Sequence, residues 1–117
     1  MIKVENLTKY YGQNCAVKDL TFHAEKGEVL GFLGPNGAGK TTTVRMLTSL
    51  IAPTSGLASV NGFKVGEEDQ AIRRSVGILT ESPGLYDRLS ALKNLSIFAN
   101  LYDVEDVDRQ VQKYLSM

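Results

Sequence analysis

The chain has 117 residues, 43% of them hydrophobic, enough for the core of one small domain. Thirteen basic and thirteen acidic side chains cancel, so no net field draws the chain to anionic lipid, and nucleic acid is not an expected partner. Cys15 is the only cysteine, which rules out an internal disulfide, a CxxC redox pair and an all-cysteine metal cage, and suits a reducing compartment. The first residues lack the apolar core of a signal peptide, and no apolar run approaches the ~18 residues that cross a bilayer. The expectation is a soluble, folded unit whose membrane role comes only through a partner.

In chain order, residues 2–10 and 16–24 alternate or cluster apolar side chains at strand spacing around Tyr11-Gly12-Gln13-Asn14, which predicts an antiparallel pair. After the turn Lys26-Gly27-Glu28, the run Val29-Leu30-Gly31-Phe32-Leu33 has the continuous apolar character of a strand covered on both faces. It leads directly into Gly34. Beyond Lys40, the residues Val44, Leu47 and Ile51 mark a helix that Pro53 and Gly56 stop. Residues 57–60 predict a short strand closed by Asn61-Gly62, residues 67–74 a helix, and residues 76–79 another apolar strand. Two helices follow: one carries Leu92, Leu95, Phe98 and Leu101 behind the N-cap Ser90, the other Val104, Val107, Val111 and Leu115. No repeat or linker interrupts the chain, which reads as a single domain: 1–33 the antiparallel β region and loop strand, 34–87 the loop core, and 88–117 the start of a helical part.

Between the strand at 29–33 and the helix after Lys40 stands Gly34-Pro35-Asn36-Gly37-Ala38-Gly39-Lys40-Thr41, a glycine, four residues and then Gly-Lys-Thr. Each fixed position has a physical task. Glycines at 34, 37 and 39 permit backbone turns that a Cβ blocks, so successive N–H groups can converge on phosphate oxygens. Lys40 supplies a compact ammonium for the β- and γ-phosphates. Thr41 opens the helix, where its hydroxyl suits Mg²⁺ and the helix N-terminus adds roughly half a positive charge. The pattern therefore points to a nucleoside triphosphate with Mg²⁺.

With this loop, continued by Thr42, the sequence resembles the nucleotide-binding domain of an ATP-binding cassette (ABC) transporter along essentially its whole length. The resemblance implies an α/β fold: part of a P-loop nucleotide-hydrolase core, with an N-terminal antiparallel β subdomain and the start of a helical subdomain. It also implies ATP as the nucleotide. Leu7-Thr8-Lys9-Tyr10-Tyr11-Gly12 is similar to the segment that supplies the family's adenine-stacking aromatic, and Tyr11 holds the matching position, with Tyr10 as its neighbour on the opposite strand face. Val76-Gly77-Ile78-Leu79-Thr80-Glu81 resembles the strand and loop where most members carry glutamine. Glu81 can approach Mg²⁺ or its water and is a second candidate catalytic and metal residue beside Lys40 and Thr41, but a carboxylate cannot donate the amide hydrogen bond.

The stretch from Gly84 to Ser90 is most similar to exporter-type members, whose membrane half is a separate permease subunit. The resemblance implies a coupling contact near Leu85 and Tyr86 with that permease, peripheral attachment to the cytoplasmic face of the membrane, and a second ATP-binding domain as dimer partner. The sequence contains no Gly-Gly pair, its last glycine is Gly84, and its one histidine, His23, precedes the loop. The family's signature, its Asp-Glu strand and its switch histidine are thus not among these residues. The expectation is ATP binding with negligible turnover, and self-association through uncovered strand edges. Another P-loop enzyme, such as a small GTPase or nucleoside kinase, and a non-hydrolysing binding module are the alternative readings.

Overall fold

The computed structural model describes residues 1–35, 37, 39–80 and 84–117. They form two compact units, Met1–Ile78 and Leu79–Met117.

The first unit is built on an antiparallel sheet of four strands, β1 (Ile2–Tyr11), β2 (Asn14–Ala24), β3 (Ser55–Val60) and β4 (Phe63–Lys64), in the order β2-β1-β3-β4. The expected β1–β2 pair is present. Its register runs Ile2↔Ala24 and Val4↔Phe22, then shifts to Leu7↔Leu20 and again to Lys9↔Val17. The first two shifts coincide with a left-handed residue, Asn6 (φ 49°) on β1 and Asp19 (φ 47°) on β2, and a third, to Tyr10↔Cys15, follows beside the hairpin. Side chains replace the ladder bonds lost there: Asn6 N–H donates to Thr21 Oγ1 (2.9 Å) and Asp19 N–H to Thr8 Oγ1 (3.0 Å). The bulge at Asn6 also shifts the β1–β3 register between Glu5 and Thr8.

One face of the sheet is closed by the core, where Val4, Leu7, Val17 and Val60 meet Met46 and Leu47 of α1 (Lys40–Leu47) and Ile72 of α2 (Asp69–Ser75). Leu7, Met46 and Ile72 are completely buried. Asn61 (φ 53°) and Gly62 (φ 84°) are both left-handed, which is the two-residue turn whose twist suits a hairpin. That turn leads into β4, a strand of two residues and too short to leave a period in the sequence.

Two helix boundaries differ from the sequence expectation. Helix α1 ends at Leu47 rather than near Ile51: Ser49 turns left-handed (φ 57°), Ser49 N–H donates to Met46 O and Leu50 N–H to Arg45 O. These reversed bonds satisfy the last carbonyls and stop the helix before Pro53. Helix α2 begins at Asp69 because the acids expected in its first turn are used outside it. Glu68 Oε1 accepts from Lys64 N–H (3.1 Å) and Asp69 Oδ1 from Gly66 N–H (2.7 Å), so they hold the turn after β4.

The larger difference concerns residues 29–33 and 76–79, expected as strands. Neither run joins a ladder among the described residues. Val29 is 100% exposed, Leu33 94% and Leu79 88%. A strand exists only with a hydrogen-bonded neighbour, and the four-stranded sheet offers these runs none. Phe32 is tied in by its ring, edge-on to Phe22 at 5.0 Å between centroids, and Val76 by packing against the core and by its N–H to Ile72 O (3.1 Å).

The second unit is a helical hairpin of α3 (Ala91–Leu101) and α4 (Val107–Leu115). Ser90 is the expected N-cap, its hydroxyl accepting from Lys93 N–H at 3.2 Å. Buried Asn94 organises the approach to α3: its amide donates to the carbonyls of Tyr86, Leu89 and Ser90, and its Oδ1 accepts from Tyr86 N–H (2.8 Å). The Tyr86 ring stacks beside Phe98, 6.4 Å between centroids. Val104 lies in the connection rather than in α4, which starts after left-handed Asp106.

Candidate functional site

The glycine loop enters α1 through Gly39, which is left-handed (φ 88°) at the N-cap position, as Gly37 is (φ 84°) two residues earlier. Side chains are excluded at Gly39 for a second reason. A Cβ there would lie 2.6 Å from the Ala16 carbonyl oxygen and 2.9 Å from Val17 Cγ2, so the loop rests directly on β2. Thr43 fixes it from the other side, because its N–H and its hydroxyl both donate to the Gly39 carbonyl (2.9 and 2.8 Å). Asn36, Ala38 and Glu81 lie outside the described residues.

Helix α1 carries no acidic residue in its first turn. Its N-terminal partial positive charge is therefore not offset locally, and the free N–H groups of the first turn suit an anion. Lys40 opens the helix and its Nζ donates to the Gly34 carbonyl, folding the ammonium back over the loop. An ammonium has three donors, so this bond leaves two for a phosphate. Thr41 is exposed and Thr42 partly so. No cluster of three His, Cys, Asp or Glu able to hold a metal occurs among the described residues. Chemically, the arrangement is a cation and a helix N-terminus at one loop, with the Thr41 hydroxyl next in sequence.

Tyr11 ends β1, paired with Asn14 across the hairpin. Two residues further along β2 stands Ala16, the residue that touches the loop at Gly39. At a strand rise of about 3.3 Å per residue, the hairpin end lies roughly 7 Å from that contact. The structure thus brings Tyr11 and the glycine loop to the same end of the sheet. The Tyr11 ring is exposed and has the ammonium of Lys9 at 5.3 Å from its centroid. Tyr10 pairs with Cys15 across the hairpin, and the neighbouring thiol is the main cause of a phenol pKa above the ordinary value. His23 stands on the sheet surface, 70% exposed and 3.9 Å from Glu25, as expected of a surface residue.

Sequence reasoning passed over the supports of this site. Thr54 N–H donates to Thr8 O (2.9 Å), Thr54 Oγ1 accepts from Tyr10 N–H (2.9 Å), and Lys9 Nζ donates to Ala52 O (2.7 Å). These bonds clamp the end of β1 to the segment leaving α1. Lys9 sits two residues from Tyr11 and so on the same strand face, the one signal that could have singled it out.

Comparison with known proteins agrees with this fold. The family model described as "ABC transporter" matches residues 17–117. The chain is 43% identical over 104 residues to the bacitracin transport ATP-binding protein BcrA of Bacillus licheniformis, covering 89% of this chain and 34% of that one. To the linearmycin resistance ATP-binding protein LnrL of Bacillus subtilis (strain 168) it is 39% identical over 102 residues, covering 87% and 33%. It spans about a third of the length of these relatives. Among solved structures, an ATP binding subunit of an ABC transporter superposes with a TM-score of 0.79 at 29% identity, covering 93% of this chain and 45% of that one. The dimeric bacterial ABC transporter cassette MJ0796 superposes with a TM-score of 0.74 at 27% identity, covering 87% and 48%. The fold is accordingly part of the α/β cassette, antiparallel sheet and helices included, and the chain belongs to the ABC transporter family.

Proposed function

We propose that this chain is the nucleotide-binding portion of an ABC transporter's ATP-binding subunit and that it binds ATP with Mg²⁺ in the glycine loop. The observation that carries the reading is the entrance to α1: Lys40 and a helix N-terminus with no acidic residue in its first turn, set behind two left-handed glycines and beside β2. In this reading the loop from Gly34 to Thr42, with Asn36 and Ala38, wraps the phosphates. Lys40 meets the β- and γ-phosphates, Thr41 offers Mg²⁺ an oxygen, and Glu81 is the carboxylate candidate for the metal and for catalysis. Bound Mg²⁺ neutralises charge shared between the phosphates. The chain's own residues account for binding and orientation of the triphosphate.

Tyr11 supplies a face for adenine. Aromatic stacking on a base contributes about 1 to 3 kcal/mol and tolerates different bases, so it sets affinity more than selectivity. Tyr11→Leu is therefore expected to weaken ATP binding by roughly 5- to 150-fold while leaving inorganic tripolyphosphate binding unchanged, both read by calorimetric titration. Equal losses for the two ligands would take Tyr11 out of the base site. GTP competing as a much tighter ligand than ATP would favour another P-loop enzyme class instead.

The same reading makes the partners a separate transmembrane permease and a second ATP-binding domain, with the chain peripheral on the cytoplasmic side. The names of the relatives as transport ATP-binding proteins and the dimeric cassette support it. Exposed Leu85 and Tyr86, half uncovered and held in place by Asn94, are the residues offered to the permease. The runs at 29–33 and 76–79 keep the composition of buried strands with exposed Val29, Leu33 and Leu79, and in this reading a second copy of the chain or another segment pairs with them.

A further inference from the structure

Lys9 makes two contacts at once: Nζ donates to the Ala52 carbonyl at 2.7 Å and lies 5.3 Å from the centroid of the Tyr11 ring. Ala52 follows the C-terminal cap of α1, so the lysine joins the aromatic ring to the exit of the helix whose entrance carries Lys40. From these contacts we propose that Lys9 is a positioning residue, which holds one face of Tyr11 through its ammonium and leaves the other face free for a base. The inference rests on the reading of Tyr11 as the base-stacking residue.

The physical case has three parts. Tyr11 is the last residue of β1, beside a two-residue turn, and the residue is 46% exposed, so packing alone leaves the ring several rotamers. A cation within about 6 Å of a ring centroid is attracted to the face of the ring. The carbonyl of Ala52 fixes where that cation sits, and the Thr54 bonds to Thr8 and Tyr10 fix the strand beneath it. A ring already held in one orientation loses less freedom when a base stacks on it, which raises affinity without adding a contact. The lysine, a donor bound to a carbonyl and a cation on a ring, acts through Tyr11 and need not touch the nucleotide.

The test uses Lys9→Met, which keeps the stem, and Lys9→Arg, which keeps the cation, with ATP and inorganic tripolyphosphate as separate ligands. Lys9→Met is expected to weaken ATP about five-fold, a loss of the size of one cation–π contact, to leave tripolyphosphate unchanged, and to lose its effect in a Tyr11→Leu background; Lys9→Arg restores most of the affinity. A Lys9→Met chain with unchanged ATP affinity, or with equal losses for both ligands, overturns the proposal. Should Tyr11→Leu itself leave ATP affinity unchanged, the base site is misassigned. The positioning claim is then decided without nucleotide, by Tyr11 ring proton shifts, which Lys9→Met moves toward averaged values if the lysine holds the ring and leaves alone if it does not.

Discussion

Lys40→Ala is expected to weaken ATP binding on the order of 100-fold, the loss of charge-assisted hydrogen bonds to phosphate, while the thermal midpoint of the chain hardly moves. The two halves of this expectation have separate origins. Among the described residues the ammonium bonds only to the Gly34 carbonyl at the loop surface, and no acidic side chain pairs with it. Removing it therefore leaves no buried charge and no cavity. The helix it opens is held by Thr43 on Gly39 and by Met46 and Leu47 in the core, none of which contacts the lysine through a hydrogen bond. Calorimetric titration of ATP·Mg²⁺ with wild type and variant checks the first half, and a melting curve the second. Unchanged ATP affinity would mean that the loop is not the phosphate site.

Gly56→Ala is expected to destabilise the first unit by about 3 kcal/mol or more, lowering its midpoint by roughly 10 to 20 °C. Gly56 is left-handed (φ 90°), and a Cβ there would lie 2.2 Å from the Asn6 carbonyl oxygen and 2.6 Å from Leu7 Cα. Both atoms belong to the β1 bulge, so neither can move without disturbing pairing with β2 and β3. Gly66 is the control, because it has the same backbone conformation (φ 89°) and nothing within 4 Å of the added Cβ. Gly66→Ala bears only the conformational cost of ~1–2 kcal/mol. Equal midpoints for the two variants would show that the bulge does not press on Gly56.

The parts of the molecule legible in the sequence are those set by local chemistry. The glycine loop is written residue by residue, since left-handed backbone and an exposed ammonium require those residue types wherever they occur. Ser90 before an apolar stripe marks the start of α3 for the same reason, and Asn61-Gly62 marks its turn. The β1–β2 pair is readable from alternation. The irregularities at Asn6 and Asp19 are not, because their positive φ goes with bonds to Thr21 and Thr8, partners fifteen and eleven positions away. The end of α1 is hidden for a related reason: serine at a left-handed cap gives none of the signal that glycine gives.

The runs at 29–33 and 76–79 show the limit from the other side. Their apolar character signals a place covered on both faces, and it says nothing of which residues provide the cover. Here the described residues leave Val29, Leu33 and Leu79 open. The clamp on β1 was invisible because Ala52 and Thr54 act through a carbonyl and a hydroxyl that any number of residues could supply. Lys9 gains meaning only when the fold places Ala52 and Tyr11 on either side of its ammonium.

The most direct measurement of the central claim is a backbone amide spectrum of the ¹⁵N-labelled chain titrated with ATP·Mg²⁺. The largest shifts are expected at Gly37, Gly39, Lys40, Thr41 and Thr42, whose N–H groups line the loop and the first turn of α1, followed by Tyr11 and Ala16 beside them. Shifts centred away from the loop, or a spectrum that saturating ATP leaves unchanged, would contradict the assignment of this loop as the phosphate site.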